Sequence, residues 1–298
     1  MDATSPPRAF ALVGPGRAGR AIALALADRG WRPVAVAGRR ADAPSTQALA
    51  ARLDARAVEA GEAGREADVV VIATPDSAIA DAATALAPSL RAGALVIHLS
   101  GASTLHELDG VLLARPDVEI GSLHPLQALP AGDARRGDGG FADRRRRAGA
   151  RDGAKMGADR LPGSWCAVDG SPRVERIALT LGMRPFRVSA DDRVRYHAAA
   201  CVASNHLVAL LGQVERLATN AGVPLEAFLP LVRATVENVA ELGPAAALTG
   251  PVARGDHETV ARHVDALPRR ERDAYLALVR EARRVAGQEE AELEGTRA

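Results

Sequence analysis

Short apolar runs alternate with amphipathic stretches through the first part of the chain. Phe10–Val13, Val34–Ala37, Val69–Ala73, Leu95–Leu99 and Ile120–Leu123 are rich in Val, Ile and Leu and are bounded by turn residues, which predicts buried strands. Between them Arg17–Arg29, Thr46–Ala55, Ser77–Ala87 and Thr104–Leu113 read as helices. Regular strand–helix alternation predicts an α/β domain built on a Rossmann-type parallel sheet with helices on both faces. Trp165–Val168 and Pro185–Val188, separated by Val174–Leu181, predict one more unit at the edge of that sheet. From Ala190 the strand pattern stops. Apolar residues then recur at helical spacing for about 30 positions, up to a C-cap at Gly222. A second helix starts at Pro224 with a kink expected at Pro230, and two more cover about Asp256–Leu267 and Arg269–Ala286. The expected organisation is a dinucleotide-binding α/β domain over 1–189 and an all-α domain for substrate and dimerisation over 190–298.

Ala131–Arg160 breaks the pattern. It lacks apolar periodicity, carries the run Arg144–Arg147 and interleaves acids, so it reads as a solvated, disordered insertion rather than a nucleic-acid tail. The remaining composition narrows the function by exclusion. The chain has 298 residues, 47% hydrophobic and 25% charged, with a net charge of +1, which gives no general reason to expect a nucleic-acid partner. No apolar run is long enough for a membrane span, and the first ten residues lack the apolar region of a secretory signal. Cys166 and Cys201 are far apart and form no metal-ligand spacing, so no metal is expected. A cytoplasmic location is the simple expectation.

Three glycines in "GPGRAG" carry the first chemistry. Gly14, Gly16 and Gly19 follow a strand and open a helix, as the G-x-G-x-x-G dinucleotide fingerprint requires. Gly14 makes the tight turn, Gly16 lets the backbone approach a pyrophosphate, and Gly19 lets helix and strand pack closely. Pro15, Arg17 and Ala18 complete the loop, and the helix N-terminus offers free N–H groups to phosphate. NAD-binding proteins place an acid at the end of the second strand. Here that strand runs into Gly38, Arg39 and Arg40. Arginines attract a 2′-phosphate, so NADP is expected before NAD, with Arg39 and Arg40 as its partners; Arg40 reads equally as a solvated surface residue. Thr74 and Pro75, at the next strand end, line the cofactor, and Asp76 reads as an N-cap.

Two later strand ends point to the same crevice. One carries Ser100 and Gly101, the other Ser122, His124 and Gln127. His124 can act as acid or base, or can be a loop histidine with a structural hydrogen bond. His98 lies within a strand and reads as a satisfied buried residue. On the long helix His197, Cys201 and Asn205 are spaced i, i+4, i+8 and would share a face, with Ser204 beside it. That face reads as one wall of a site between the two domains, although Tyr196 and His197 are equally readable as packing residues.

"GPGRAG", "ATPD", "HLSGA", "SLHPLQ", "YHAAACVASNHLVALL" and "LGPAAALTGPVARGD" together resemble the Rossmann-like oxidoreductase family with a C-terminal helical domain of unknown function (DUF2520), in the 6-phosphogluconate-dehydrogenase-like superfamily. The resemblance implies NADP-linked redox chemistry on a small molecule and a helical domain that often dimerises. Ser100 and His124 fall where the similar prephenate dehydrogenases have a strand-end serine and a His-Pro loop. Hydroxyacid dehydrogenases of the wider group use a lysine four residues before an asparagine. Here Asn205 is preceded by Cys201, which argues against a lysine-based mechanism. The expected function is thus an NADP-dependent oxidoreductase acting on a small anionic metabolite. His124, Ser100, His197 and Asn205 would be its site residues, with Arg254 as a further candidate for a substrate carboxylate. The alternative is a non-catalytic NADP(H)-binding regulator or scaffold.

Overall fold

A computed structural model describes residues 8–129 and 157–288. By its contacts the chain divides into two compact units, Met1–Val202 and Ala203–Ala298.

The first unit is an eight-stranded sheet in the order β3-β2-β1-β4-β5-β6-β7-β8. Its strands are β1 (Ala9–Val13), β2 (Arg32–Ala37), β3 (Arg56–Val58), β4 (Val69–Ile72), β5 (Leu95–His98), β6 (Glu119–Pro125), β7 (Trp165–Gly170) and β8 (Arg184–Arg187). Strands β1 to β6 are parallel, and the connection reverses direction between β1 and β4, the switch point at which such sheets bind ligands. The expected Rossmann-type sheet is mostly parallel, with one exception at its edge: β7 runs antiparallel to β6, and β8 is parallel to β7. Strand β3 escapes the apolar pattern because it is only three residues long.

The central strands are buried on both sides. Leu12, Val71, Ile97 and Leu123 face one core with helix α1 (Arg17–Asp28). Val13, Ile72 and Val96 face the other, which takes in Ile79 and Leu86 of α3 (Ile79–Leu86) and Val111 of α4 (Asp109–Ala114). Helix α2 (Pro44–Arg52) contributes Leu49 to the first core, and α5 (Pro172–Thr180) contributes Val174 and Ile177. Each fully buried Leu, Ile or Val is worth about 1.5–3 kcal/mol, so these two layers fix the sheet. Register then fixes the functional edge. Val13 pairs with Ile72, Ile72 with His98 and His98 with Ser122, so the chain leaves β1, β4, β5 and β6 along one side of the sheet.

Most of the expected insertion lies outside the described residues. Its last residues do not behave as a solvated loop. Ala158–Arg160 form a 3₁₀ turn, Ala158 and Leu161 join the core, and Arg160 donates to the Ala128 carbonyl at 2.9 Å.

The first unit also holds α6 (Arg193–Cys201), which the sequence pattern had joined to the helices beyond it. A π-helical turn, Val202–His206, follows. The second unit contains α7 (Leu207–Asn220), α8 (Leu229–Leu242), α9 (His257–Ala266) and α10 (Arg269–Val285). Gly222 at φ 72° ends α7, as its sequence predicts. Pro230 sits in the first turn of α8, where no N–H is missed, and not at a kink. Glu271 at the start of α10 accepts two bonds from Arg216 of α7, at 2.7 and 3.0 Å. Leu231, Val236 and Leu242 of α8 remain exposed. Among the described residues no helix is long and apolar enough to cross a membrane.

Glycines of the first loop separate packing from access. A Cβ on Gly19 would lie 2.3 Å from the Gly14 carbonyl oxygen and 2.9 Å from the Ala73 Cβ, whereas one on Gly16 meets nothing closer than 3.8 Å. Gly19→Ala is therefore expected to lower stability by roughly 1–3 kcal/mol through overpacking, and Gly16→Ala to leave it near the parent value. Urea unfolding of the two variants checks this, and equal losses would refute it.

Candidate functional site

The loop after β1 is shaped by backbone needs. Gly14 has φ +100°, and a Cβ there would lie 2.6 Å from the Ala73 carbonyl. Its N–H donates to the Ala37 carbonyl at 2.8 Å, which ties the loop to β2. Helix α1 then starts at Gly16 with no side-chain cap and no acid in its first turn. Its first N–H groups are therefore left to an external acceptor, and the helix dipole favours an anion there. Arg17 and Ala18 form that first turn, and the Pro15 carbonyl is held by Arg20 Nε at 2.7 Å. Across the loop the Thr74 hydroxyl is buried without a partner, and Pro75 is exposed beside it. An uncapped helix, an open Gly16 and an orphaned hydroxyl fit the pyrophosphate of a dinucleotide. Asp76 does not cap the following turn: Pro75 occupies that position, and no side-chain bond is made.

The two arginines after β2 differ. Arg40 is held by Asp42 in a bidentate pair at 2.8 and 2.5 Å. Arg39 is exposed and has no partner among the described residues.

At the ends of β5 and β6 the side chains converge. Ser122 and His124 alternate to the same face of β6. On α6, Arg193, Tyr196 and His197 lie at i, i+3 and i+4 and share a face. The two faces meet. The Arg193 guanidinium, 1% exposed, donates to Ser122 Oγ at 2.5 Å and to the Ser103 carbonyl at 2.7 Å. Tyr196 Oη lies 2.7 Å from His124 Nδ1. The His197 ring stands edge-on to His124 with centroids 5.9 Å apart. Gly101 makes this possible: a Cβ there would lie 2.8 Å from both His124 Cε1 and His197 Cδ2. Burial pushes the His124 pKa down to about 4, helped by His197 and Arg193 and opposed by Asp76. Burial pushes Tyr196 up to about 12. At neutral pH the pair is an uncharged imidazole on an uncharged phenol. His124 Nε2 has no partner among the described residues.

Ser100 is buried, and its oxygen accepts from the Ala102 and Ser103 N–H groups at 3.2 and 2.9 Å, which builds the turn carrying Gly101. Its O–H remains to donate. His98 departs from expectation. Its Nδ1 accepts from the Ser100 N–H at 3.2 Å, but its buried Nε2 has no partner. Burial and then Arg193 lower its pKa to about 4. Gln127 serves the loop, donating to the Arg160 carbonyl at 3.2 Å.

The fold thus brings His124 and His197 together beside Gly101, the residue that follows Ser100. Cys201 Sγ lies 4.0 Å from His197 Nε2. The expected i, i+4, i+8 face does not continue to Asn205, because the π-turn begins at Val202. Asn205 and Arg254 belong to the second unit, and both are exposed. Sequence reasoning missed Arg193 and read Tyr196 only as a packing residue. The available signal was a polar i, i+3, i+4 set opening an apolar helix.

Residues 9–101 match a family model described as NADP oxidoreductase, coenzyme F420-dependent, and residues 166–282 match the domain of unknown function DUF2520. No curated protein sequence matches the chain. Among solved structures, a Bacteroides fragilis protein assigned as an NADP oxidoreductase superposes with TM-score 0.73 at 23% identity, over 93% of this chain and 98% of that one. Thermotoga maritima protein TM1727 gives 0.62 at 23% identity, over 94% and 99%. Plasmodium falciparum pyrroline carboxylate reductase, with NADP bound, gives 0.57 at 12% identity, over 94% and 98%. The two matches, one after the other along one chain, are the combination that the quoted motifs resemble.

Proposed function

We propose that this protein is an NADP-dependent oxidoreductase acting at a C–O or C–N centre of a small anionic metabolite. The observation that carries the reading is a partnerless His124 Nε2 on the same sheet edge as the uncapped, glycine-lined start of α1. When bound, NADP supplies or accepts the hydride. The first-turn N–H groups of α1 hold its pyrophosphate, and Arg39 holds the 2′-phosphate. His124 Nε2 shares the proton of the reacting oxygen or nitrogen, and the Ser100 O–H orients that atom. His197, edge-on to His124, positions the rest of the substrate. An anionic substrate is favoured by Arg193, whose buried charge touches no carboxylate among the described residues. The exposed apolar residues of α8 support a homodimer through the C-terminal helices. Light scattering is expected to give twice the 31.0 kDa chain mass, and Leu231→Glu with Val236→Glu to give one. A monomeric parent would exclude the dimer.

The cofactor assignment rests on Arg39. Losing a charge-assisted phosphate contact costs roughly 1.5–3 kcal/mol. Arg39→Ala is expected to weaken NADPH by about tenfold or more and to leave NADH nearly unchanged, with a smaller effect from Arg40→Ala. Equal losses for both nucleotides at Arg39 would make its role structural.

Single-turnover oxidation of bound NADPH by a panel of keto acids and imines tests the reaction. A protein that binds NADPH and oxidises it with none of them is the non-catalytic regulator. With a substrate in hand, His124→Asn is expected to cut turnover about 10²–10⁴-fold while NADPH affinity and the unfolding midpoint hold. His124 faces His197, Arg193, Tyr196 and Asp76. Its lowered pKa means that it stays neutral until the pH falls through about 4. The kcat/KM profile is therefore expected to show no histidine limb between about pH 5.5 and 8, instead of an inflection near the ordinary value of about 6.5. An inflection near 6.5 that disappears in His124→Asn would overturn this assignment.

A further inference from the structure

We propose that Tyr196 is a positioning residue that sets the tautomer of His124: its phenol O–H donates to Nδ1, the ring proton sits on Nε2, and His124 meets a ligand as a neutral N–H donor. The inference rests on the proposed reaction for its purpose, but the tautomer can be read without any substrate.

A count of donors and acceptors decides between the two neutral forms. Tyr196 Oη and His124 Nδ1 are 2.7 Å apart, and among the described residues neither atom has another partner. If Nδ1 carried the proton, the phenol oxygen would accept it and the half-buried O–H would have no acceptor. An unsatisfied buried donor is costly, whereas the Nε2–H form satisfies both groups. The charged form is disfavoured by burial first, then by His197 and by Arg193, which is bonded to Ser122 two residues before His124.

The pairing is built in from α6. Arg193 fastens the first turn of that helix to β6 and to the Ser103 carbonyl, and Tyr196 follows three residues later on the same face. Phe186 of β8 stands edge-on to the phenol, with centroids 5.7 Å apart, and walls its other side. Two strands and one helix therefore fix the ring. The donor that results lies close against Gly101, where only the absence of a side chain keeps Nε2 uncovered: a Cβ there would come within 2.9 Å of it. A fixed N–H aimed at developing negative charge stabilises it without reorganisation.

Long-range ¹H–¹⁵N correlation of the full-length, ¹⁵N-labelled protein at pH 7 tests this. His124→Gln identifies the His124 signals among the 7 histidines. The expected pattern is a protonated Nε2 and an unprotonated, hydrogen-bonded Nδ1. In Tyr196→Phe the bias should be lost and both tautomers should appear. With a substrate from the panel, Tyr196→Phe should lower kcat about tenfold while KM and NADPH affinity hold. A proton on Nδ1 in the parent protein overturns the proposal, and that measurement needs no variant. Unchanged tautomer populations in Tyr196→Phe also overturn it. If the expected pattern appears and no panel compound is reduced, the role of Tyr196 stands and the oxidoreductase reading falls.

Discussion

A guanidinium with almost no solvent around it joins the last helix of the first unit to the sheet. Among the described residues Arg193 makes two hydrogen bonds, to Ser122 Oγ and to the Ser103 carbonyl, and touches no carboxylate. Burying a charge without an ion-pair partner is costly, and its Nε adds a further unsatisfied group. Asp169, across from Ser122 on β7, offsets part of that cost at longer range. Such an arrangement persists only where the surrounding packing over-determines it. Here it sets the height of α6 over β6 and delivers Tyr196 and His197 to His124. Without that anchor the tyrosine and the imidazole would be two unrelated residues 72 positions apart.

The first unit was largely legible in the sequence because its rules are local. Strands buried on both faces read as apolar runs, and the glycine fingerprint declares its strand, turn and helix. Strand direction is a different kind of fact. The apolar run Trp165–Val168 is the same read either way, and the β6–β7 connection passes through residues 130–156, which carry no periodic signal. The cluster of Arg193, Tyr196 and His124 was legible only by half. His124 is announced by its strand end, but its partners come from a helix whose register depends on tertiary contacts. The π-turn shows the same limit. Val202–His206 has ordinary helical composition, and one extra residue in a turn leaves no trace in apolar spacing, yet it breaks the face that would have carried Asn205.

The arginine pair after β2 is a case where magnitudes matter more than geometry. Arg40 and Asp42 are both exposed, and a surface ion pair of that kind is weak because water and salt screen it. A charge-assisted bond to a phosphate is worth roughly 1.5–3 kcal/mol. The pair therefore does not remove Arg40 from an NADP site; it makes Arg40 the second arginine, recruited after a small loss. Arg39 has no such loss, which ranks it first on the proposed reading.

His98 and His124 carry the last step. Both are held neutral by burial with Arg193 close by, and both have a pKa near 4. The same electrostatics nevertheless leaves them with opposite uses. His98 sits one register row below the sheet edge, with Nδ1 bound to the Ser100 N–H and Nε2 buried against nothing that bonds it. It supports the turn that carries Gly101, and it cannot reach a ligand. His124 stands two residues past Ser122, the row partner of His98, and the missing side chain of Gly101 leaves its Nε2 uncovered. Depth along the strand, not charge or pKa, separates a structural histidine from a candidate donor. Burial keeps both uncharged and Arg193 adds to it, so a ligand at this edge would meet a neutral N–H beside a positive field, a combination suited to an anionic substrate whose reacting oxygen gains negative charge.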